Sequence, residues 1–330
     1  MSIIDENEPK TDIWRLPATA ELPGFRPEEM TGCPKCGRKN APDRPVCMYC
    51  GAALQVFTDR GLKISDRLLE AWENGFNIIL KGISSEPPGV IDIDGFTAEA
   101  LRLAENLPKP IAVRRTETAA EAEQLARSLS ASGYQALVVS DETIGVTEKP
   151  IRIRRLDFTD EGFRLTAFNT GNAFEIESSD LRLIVFGTIS TGQVETLEKR
   201  KRGSAEILDE TAAETRETVI DIYCSGEPGK FRIYERGFDF ACLGSEKEMV
   251  ASRNMAILKG KLLAFAGEER TATFYDEVRE VLDIVWPPEV RRETLGMVRS
   301  GFARKELGRK QTVNNLEQFT RYSRMLNYLK

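Results

Sequence analysis

Four cysteines near the N-terminus carry the clearest chemistry in this sequence. They form two Cys-x-x-Cys pairs, Cys33/Cys36 and Cys47/Cys50, each followed by a glycine and separated by ten residues. A tight turn lets both sulfurs of a pair reach one ion, and a small residue after the turn leaves room for backbone N–H groups to point at the thiolates. This spacing is typical of a small zinc site.

The segment 32–54 resembles the zinc ribbon family in its short CPxCG and CxxCG knuckles. The resemblance implies that Cys33, Cys36, Cys47 and Cys50 are the ligands of one zinc ion. Four thiolates fill a tetrahedral zinc ion, so we expect a structural ion rather than a catalytic one. A module this small has almost no core, and metal binding, worth about 10–16 kcal/mol in zinc-finger peptides, must supply its folding free energy.

Other occupants of the four-cysteine site stay open. Rubredoxin-type iron and an iron–sulfur cluster also use cysteine thiolates, and a ribbon can lose its metal altogether. The gap of ten residues is short for rubredoxin. Zinc is therefore the favoured ion.

A second candidate is the pair of carboxylates in Val90–Gly95 (VIDIDG). The motif resembles the first motif of haloacid-dehalogenase-type phosphatases, which implies Asp92 as nucleophile and Asp94 as acid–base with magnesium. However, Pro87-Pro88-Gly89 leaves only two apolar residues before Asp92, too few for a central strand. No matching downstream lysine and acidic motifs follow, so an ordinary turn is favoured and a magnesium-dependent phosphatase stays a weak alternative.

Two further motifs are better explained as structural features than as binding or catalytic sites. Gly226–Lys230 (GEPGK) lacks the spacing of a phosphate-binding loop, and Phe231 stands where that loop needs a hydroxyl, so it predicts a hairpin turn. Cys224 and Cys242 lie in apolar strand-like runs and are expected to be buried, reduced thiols.

The composition excludes several classes of enzyme and argues against a secreted or membrane-spanning protein. The chain has no histidine, which removes Ser-His-Asp and Cys-His catalysis and histidine-based zinc hydrolases. An acidic start without an apolar core, and no apolar run of ~20 residues, predict neither a signal peptide nor a transmembrane segment. We therefore expect a cytoplasmic protein, a location that also suits metal-bound thiolates.

The C-terminal segment is basic although the net charge of the chain is −6. Residues 289–330 carry ten Lys/Arg against four Asp/Glu. Nine of these cations can neutralise phosphates, with Phe319 and Tyr322 available for stacking on bases. They are Arg291, Arg292, Arg299, Arg304, Lys305, Arg309, Lys310, Arg321 and Arg324. A solvated helix face is the simpler interpretation of such a charge run.

Periodicity divides the 330 residues into several parts. Residues 1–32 are expected to be an extended arm containing Trp14, and 33–54 the ribbon. The segment 55–145 predicts an α/β domain whose strand 110–115, helix 116–132 and strand 134–140 form a βαβ unit.

The remaining sequence changes character. Seven strand-like runs and one helix over 150–266 resemble a pleckstrin-homology-like barrel, with an exposed charged loop at 193–217. Residues 271–330 predict a helical basic tail, broken at Pro287-Pro288. The fold class is therefore a multidomain α+β protein.

The function expected from these features is that of a non-enzymatic, zinc-binding subunit that interacts with another protein or serves as a scaffold. The partner would dock on the N-terminal arm, the ribbon or the last helix. The alternative is a nucleic-acid or ribosome-associated protein that uses the ribbon and the basic residues of 289–330. The sequence implies no small-molecule substrate.

Overall fold

The computed structural model describes residues 30–41, 47–52, 65, 67–83, 98–201, 204–301 and 304–330. The chain divides into two compact units, Met1–Lys63 and Ile64–Lys330. The first unit contains a short antiparallel pair, β1 (Thr31–Gly32) and β2 (Lys39–Asn40), and the first cysteine turn lies between these strands. Most of the predicted N-terminal arm and both Asp92 and Asp94 lie outside the described residues.

A three-stranded sheet opens the described part of the second unit. Its elements are β3 (Phe76–Ile83), α1 (Ala98–Glu105), β4 (Ile111–Thr116), α2 (Ala119–Ala131) and β5 (Tyr134–Ser140). The strand order is β4-β3-β5, and β3 is antiparallel to both neighbours. The predicted strand–helix–strand unit is present as β4-α2-β5, but β3 lies between its two strands.

A capping box explains where α2 begins. The Thr118 side chain accepts a hydrogen bond from the Glu121 N–H, and the Glu121 carboxylate accepts one from the Thr118 N–H. Two N–H groups that the first helical turn leaves without partners are satisfied in this way.

The second sheet has nine strands and curls into a half-barrel. It begins with β6 (Ile151–Phe158), β7 (Gly162–Ala167) and β8 (Ala173–Glu177), followed by β9 (Leu181–Lys201), β10 (Ser204–Cys224) and β11 (Lys230–Tyr234). β11 pairs in parallel with β6, which joins the two groups of strands. Helix α3 (Ala251–Ala266) follows. The structure is thus a mixed α+β protein rich in sheet.

The seven-strand prediction for 150–266 is wrong by one strand. The described residues of this range form six, and the run Phe238–Cys242 leads instead into a 3₁₀ helix at Phe240–Glu246. The Asp239 carboxylate accepts a hydrogen bond from the Ala241 N–H at 3.0 Å, which caps this helix. Apolar residues on both sides of one aspartate do not by themselves distinguish a strand from a buried turn.

The expected charged loop at 193–217 is also wrong. Strands β9 and β10 continue through it as one long antiparallel hairpin, with Thr215 opposite Thr191 and Glu206 opposite Lys199. The expectation failed because the described side chains of this stretch are partly or fully exposed, so no alternation of apolar and polar residues marks the strands.

The C-terminal segment is only partly helical, which corrects the predicted helical tail. It contains β12 (Thr271–Ala272), α4 (Tyr275–Val285), β13 (Glu289–Gly301), β14 (Arg304–Asn314) and α5 (Leu316–Leu329). Pro287-Pro288 ends α4 as expected, but a hairpin follows. The sequence did not predict this hairpin, because charged strands lack the apolar alternation of a half-buried strand.

The two hairpins form a four-stranded arm. It consists of β13, β14, residues 191–201 of β9 and residues 204–217 of β10, in the order β13-β14-β9-β10. All neighbouring strands of the arm are antiparallel.

The apolar core lies on both faces of β9 and β10. Ile184 and Phe186 pack in a cluster with α3, whereas Leu183 and Val185 pack in another cluster with the three-stranded sheet, α4 and α5. A strand buried on both faces needs an uninterrupted apolar run, which explains the sequence Leu183–Phe186 (LIVF). No helix in the described residues is long and apolar enough to cross a membrane.

Candidate metal centre

The two cysteine pairs fold into nearly identical turns. In the first, the Gly37 N–H donates to the Cys33 carbonyl at 2.8 Å; in the second, the Gly51 N–H donates to the Cys47 carbonyl at 2.9 Å. Gly37 and Gly51 have φ of 70° and 68°, a left-handed conformation that favours glycine. The glycine after each pair is therefore required by the turn itself.

The four sulfurs converge on one point. All lie within 4.8 Å of one another, and the Cys33–Cys50 and Cys36–Cys47 Sγ distances are both 3.6 Å. A tetrahedral ion with metal–sulfur bonds of about 2.3 Å requires sulfurs about 3.8 Å apart. The structure thus brings together every metal ligand that the sequence predicted, in an arrangement that can hold a metal ion.

Sequence reasoning missed Asn40, the last residue of β2. Its side chain is fully buried, donates to the Cys47 Sγ at 3.4 Å and accepts from the Met48 N–H at 3.0 Å. It also donates to the Arg38 carbonyl at 2.8 Å. Asn40 therefore ties the first cysteine turn to the second. Its only sequence signal is a polar residue at the end of a short strand.

Hydrogen bonding sets the thiol pKa values of Cys33 and Cys47 apart from that of Cys36. Burial raises the pKa of Cys47, but the N–H groups of Tyr49 and Cys50 and the Asn40 amide stabilise its thiolate and lower the pKa to about 6. The pKa of the Cys33 thiol is also lowered. Burial raises it, but the backbone N–H groups that donate to the sulfur, first that of Cys36, outweigh burial.

The pKa of the Cys36 thiol is shifted in the opposite direction. The Arg38 N–H lowers the pKa of Cys36, but burial and hydrogen bonds with the other cysteines raise it to about 12. Without a cation among the sulfurs, Cys36 keeps its proton at neutral pH, because a thiolate there would add negative charge beside the other cysteines. A divalent ion bound among the sulfurs would supply positive charge, and four thiolates would occupy every position of a tetrahedral ion.

The turns also expose side chains. Met48 and Tyr49, between Cys47 and Cys50, are 60% and 51% exposed. The Arg38 guanidinium lies 4.8 Å from the centre of the Tyr49 ring, so a cation and an aromatic ring share one surface beside the metal centre.

The remaining candidates are placed as follows. Gly226–Lys230 joins β10 to β11, which confirms the predicted hairpin turn. The Lys230 ammonium forms an ion pair with Glu148. Cys224 is buried and reduced, as predicted, while Cys242 is reduced and only partly buried. Asp92 and Asp94 lie outside the described residues.

The basic residues of the C-terminal segment fall into two groups. Arg321 and Arg324 on α5 are 2% and 1% exposed, so they are part of the interior and are not available to a phosphate backbone. Arg291, Arg292 and Arg309 lie on the exposed β13–β14 hairpin. Arg321 and Arg324 therefore do not contribute to the predicted phosphate contact, and the helix face that carries them is packed rather than solvated.

Comparison with protein-family models finds no match, and no curated protein or solved structure matches the chain either.

Proposed function

We propose that this chain is a non-enzymatic, zinc-binding protein that acts as an interaction or scaffold subunit. The observation that supports this most directly is the closed set of four cysteine sulfurs, which leaves no coordination position for water or substrate. Zinc is the ion proposed, because an all-sulfur tetrahedron suits it and zinc has no redox chemistry. The assignment of 32–54 to the zinc ribbon family and a cytoplasmic location belong to the same proposal.

The docking surface proposed is the second cysteine turn. Met48 and Tyr49 project from a module held by a metal ion rather than by an apolar core. Tyrosine and methionine are enriched at protein–protein interfaces. Tyrosine buries a large area for few rotatable bonds, and the flexible methionine side chain adapts to an irregular partner surface. A partner protein that covers this turn would bury both side chains without disturbing the thiolates.

Elemental analysis of the purified full chain tests the metal. We expect about one zinc per chain, lost in Cys33→Ser/Cys36→Ser and retained in the matched control Cys242→Ser. Folded protein without metal would overturn the metal centre, and stoichiometric iron would overturn the choice of zinc.

A comparison of two double variants tests the interaction. Met48→Ala/Tyr49→Ala should keep its zinc and lose proteins that co-purify with the tagged wild-type chain, as measured by quantitative mass spectrometry. The control, Met249→Ala/Val250→Ala, alters two adjacent residues that are also exposed. If no protein depends on Met48 and Tyr49, the second cysteine turn is not the docking surface.

The finer fold assignment for 150–266 is a pleckstrin-homology-like half-barrel. Two antiparallel groups of three strands, β6–β8 and β9–β11, followed by α3, support it. Leu258 and Leu262 of α3 pack into the core between these strands, as a closing helix does.

Nucleic-acid binding remains the second candidate because the hairpin 289–314 contains seven basic and three acidic residues. Fluorescence anisotropy with labelled RNA and DNA tests it. Binding that falls with salt and is weakened in Arg304→Ala/Lys305→Ala would support this function. No binding at low salt would remove it.

A further inference from the structure

The four-stranded arm ends in two open edges. Over 204–217, β10 pairs with β9 on one side, and no strand within the described part of the chain pairs with its other side. β13 pairs only with β14 among the same residues. Residues 211–216 and 290–295, on the two edges, are all exposed. Each edge thus presents a row of backbone N–H and C=O groups to solvent.

The two edges carry opposite charge. Residues 204–217 of β10 contain five Asp/Glu and one Arg, a net charge of −4, whereas β13 (289–301) contains three Arg and two Glu, a net charge of +1. Glu210 and Glu214 are exposed on the first edge, and Arg291 and Arg292 on the second. An acidic edge and a basic edge therefore lie on opposite sides of one sheet.

Strand direction makes these edges complementary. β13 is antiparallel to β14, β14 to β9, and β9 to β10. The two edge strands consequently run in opposite directions. When a second copy of the chain is shifted sideways in the plane of the sheet, its β13 lies antiparallel to β10 of the first copy, so the alternation of the arm continues across the junction.

We propose that the arm is a self-association surface, in which the β10 edge of one copy pairs with the β13 edge of another. Backbone hydrogen bonds supply the pairing, and the opposite charges select the partner edge. Two β10 edges would place acidic residues side by side and are disfavoured, whereas pairing β10 with β13 brings the acidic residues of one edge to the arginines of the other. Because each copy has one edge of each kind, the assembly is head-to-tail and can extend beyond two copies.

This inference goes beyond the proposed scaffold function and uses a different surface from the cysteine turn. Its test needs only the purified full chain. Failure here leaves the search for a heterologous partner unaffected, and failure of that search leaves this inference in place.

Sedimentation velocity and light scattering measure the association. The wild-type average mass should rise with protein concentration between about 5 and about 200 µM. The rise should be smaller at about 500 mM than at about 50 mM NaCl, because salt screens the attraction between the edges. A wild-type chain that remains monomeric at low salt over this range would overturn the proposal.

A charge exchange makes the test specific. The first variant, Glu206→Lys/Glu210→Lys/Glu214→Lys, gives the β10 edge a basic charge. The second, Arg291→Glu/Arg292→Glu/Arg299→Glu, gives the β13 edge an acidic charge. Each variant alone then has two edges of like charge and should remain monomeric, whereas an equimolar mixture of the two should associate again. Misfolding cannot produce this rescue.

The control reverses three acidic residues elsewhere, Glu123→Lys/Glu175→Lys/Glu248→Lys, whose side chains are 63%, 60% and 43% exposed. It should associate like the wild type, since it changes the net charge as much as the first variant does. Association of either edge variant alone at the wild-type level, or a mixture that stays monomeric, would show that these edges do not pair.

Discussion

The Arg321 guanidinium lies 3.4 Å from the Asp141 carboxylate, measured from Nε to Oδ1, although 180 residues separate the two in the sequence. Their side chains are 2% and 0% exposed. Arg115 binds the other oxygen of Asp141, with Nη2 at 2.6 Å, and the Asn77 amide donates to Oδ1 at 2.9 Å. One carboxylate thus holds two buried cations where α5 meets the three-stranded sheet.

Removing this carboxylate should be costly. Asp141→Asn leaves the guanidiniums of Arg115 and Arg321 buried without a counter-charge, and we expect a loss of about 3–5 kcal/mol in the free energy of unfolding. Urea denaturation followed by circular dichroism measures it. The control, Glu175→Gln, breaks an exposed pair with Arg164 and should cost less than about 1 kcal/mol. Equal effects of the two variants would contradict a structural role for Asp141.

The second buried pair allows a test of what burial of charge contributes. Asp221 and Arg232 are directly opposite on β10 and β11, with Arg232 Nε 2.6 Å from Asp221 Oδ1. Either single change, Asp221→Leu or Arg232→Met, should destabilise by about 3–5 kcal/mol, because it leaves one charge unpaired. The double variant should cost less than either single change, as a double-mutant cycle in urea can measure. A double variant as unstable as the sum would show that the two residues act independently.

Two glycines on β9 separate packing from backbone effects. A Cβ at residue 187 would lie 2.6 Å from the Phe319 ring and 2.7 Å from the Tyr275 ring, whereas a Cβ at 192 meets nothing within 4 Å. Gly187→Ala should therefore destabilise by about 1–3 kcal/mol through overpacking. Gly192→Ala should stay within about 0.5 kcal/mol of the wild type. Thermal denaturation compares them, and a tolerated Gly187→Ala would argue against close packing of α4 and α5 on β9.

Sequence patterns predicted the elements that carry a local apolar signal. The helix α2 has regular apolar spacing, the strands β4 and β5 contain short apolar runs, and the four cysteines encode their own geometry through local turns. The arm escaped prediction because its described side chains, apart from Gly308, are partly or fully exposed and therefore show no alternation of buried and exposed positions. Arg321 escaped for a different reason: an arginine on a helix is expected to be solvated, and its burial depends on Asp141, a partner that no local pattern identifies.

Thiol reactivity should separate the structural cysteine Cys224 from the metal ligands. Burial, and then the charge of Asp180, raises the pKa of Cys224 to about 12. A raised thiol pKa keeps the reactive thiolate scarce, on the order of 10⁻⁴ of the molecules at pH 8, compared with a large fraction for an ordinary thiol of pKa about 8.5. The thiolate of Cys224 is still the minor form at pH 10. While the protein stays folded, the labelling of Cys224 should therefore rise between pH 8 and pH 10 but remain slow at both.

Mass spectrometry after iodoacetamide treatment makes this comparison. With a chelator present, the cysteine module loses the metal that holds its fold, so Cys33, Cys36, Cys47 and Cys50 should label as ordinary thiols, whereas Cys224 should label fully only in denaturant. Cys242 is partly exposed, and burial raises its pKa to about 11, so its rate should lie between the two. Rapid native labelling of Cys224 at pH 8 would contradict its burial in the sheet.

Asn40 should control how tightly the four cysteines hold their ion. Its amide donates to the Cys47 sulfur and its carbonyl accepts from Met48, so it fixes one ligand relative to the other turn. Residues that orient metal ligands in this way typically contribute 10–100-fold to affinity, and we expect about that loss in Asn40→Ala. Competition with a chromophoric chelator measures the affinity. Met48→Ala, which removes an exposed side chain but keeps the N–H that Asn40 binds, should leave the affinity unchanged. If the two variants bind metal equally well, the cysteine turns position their sulfurs without help from Asn40.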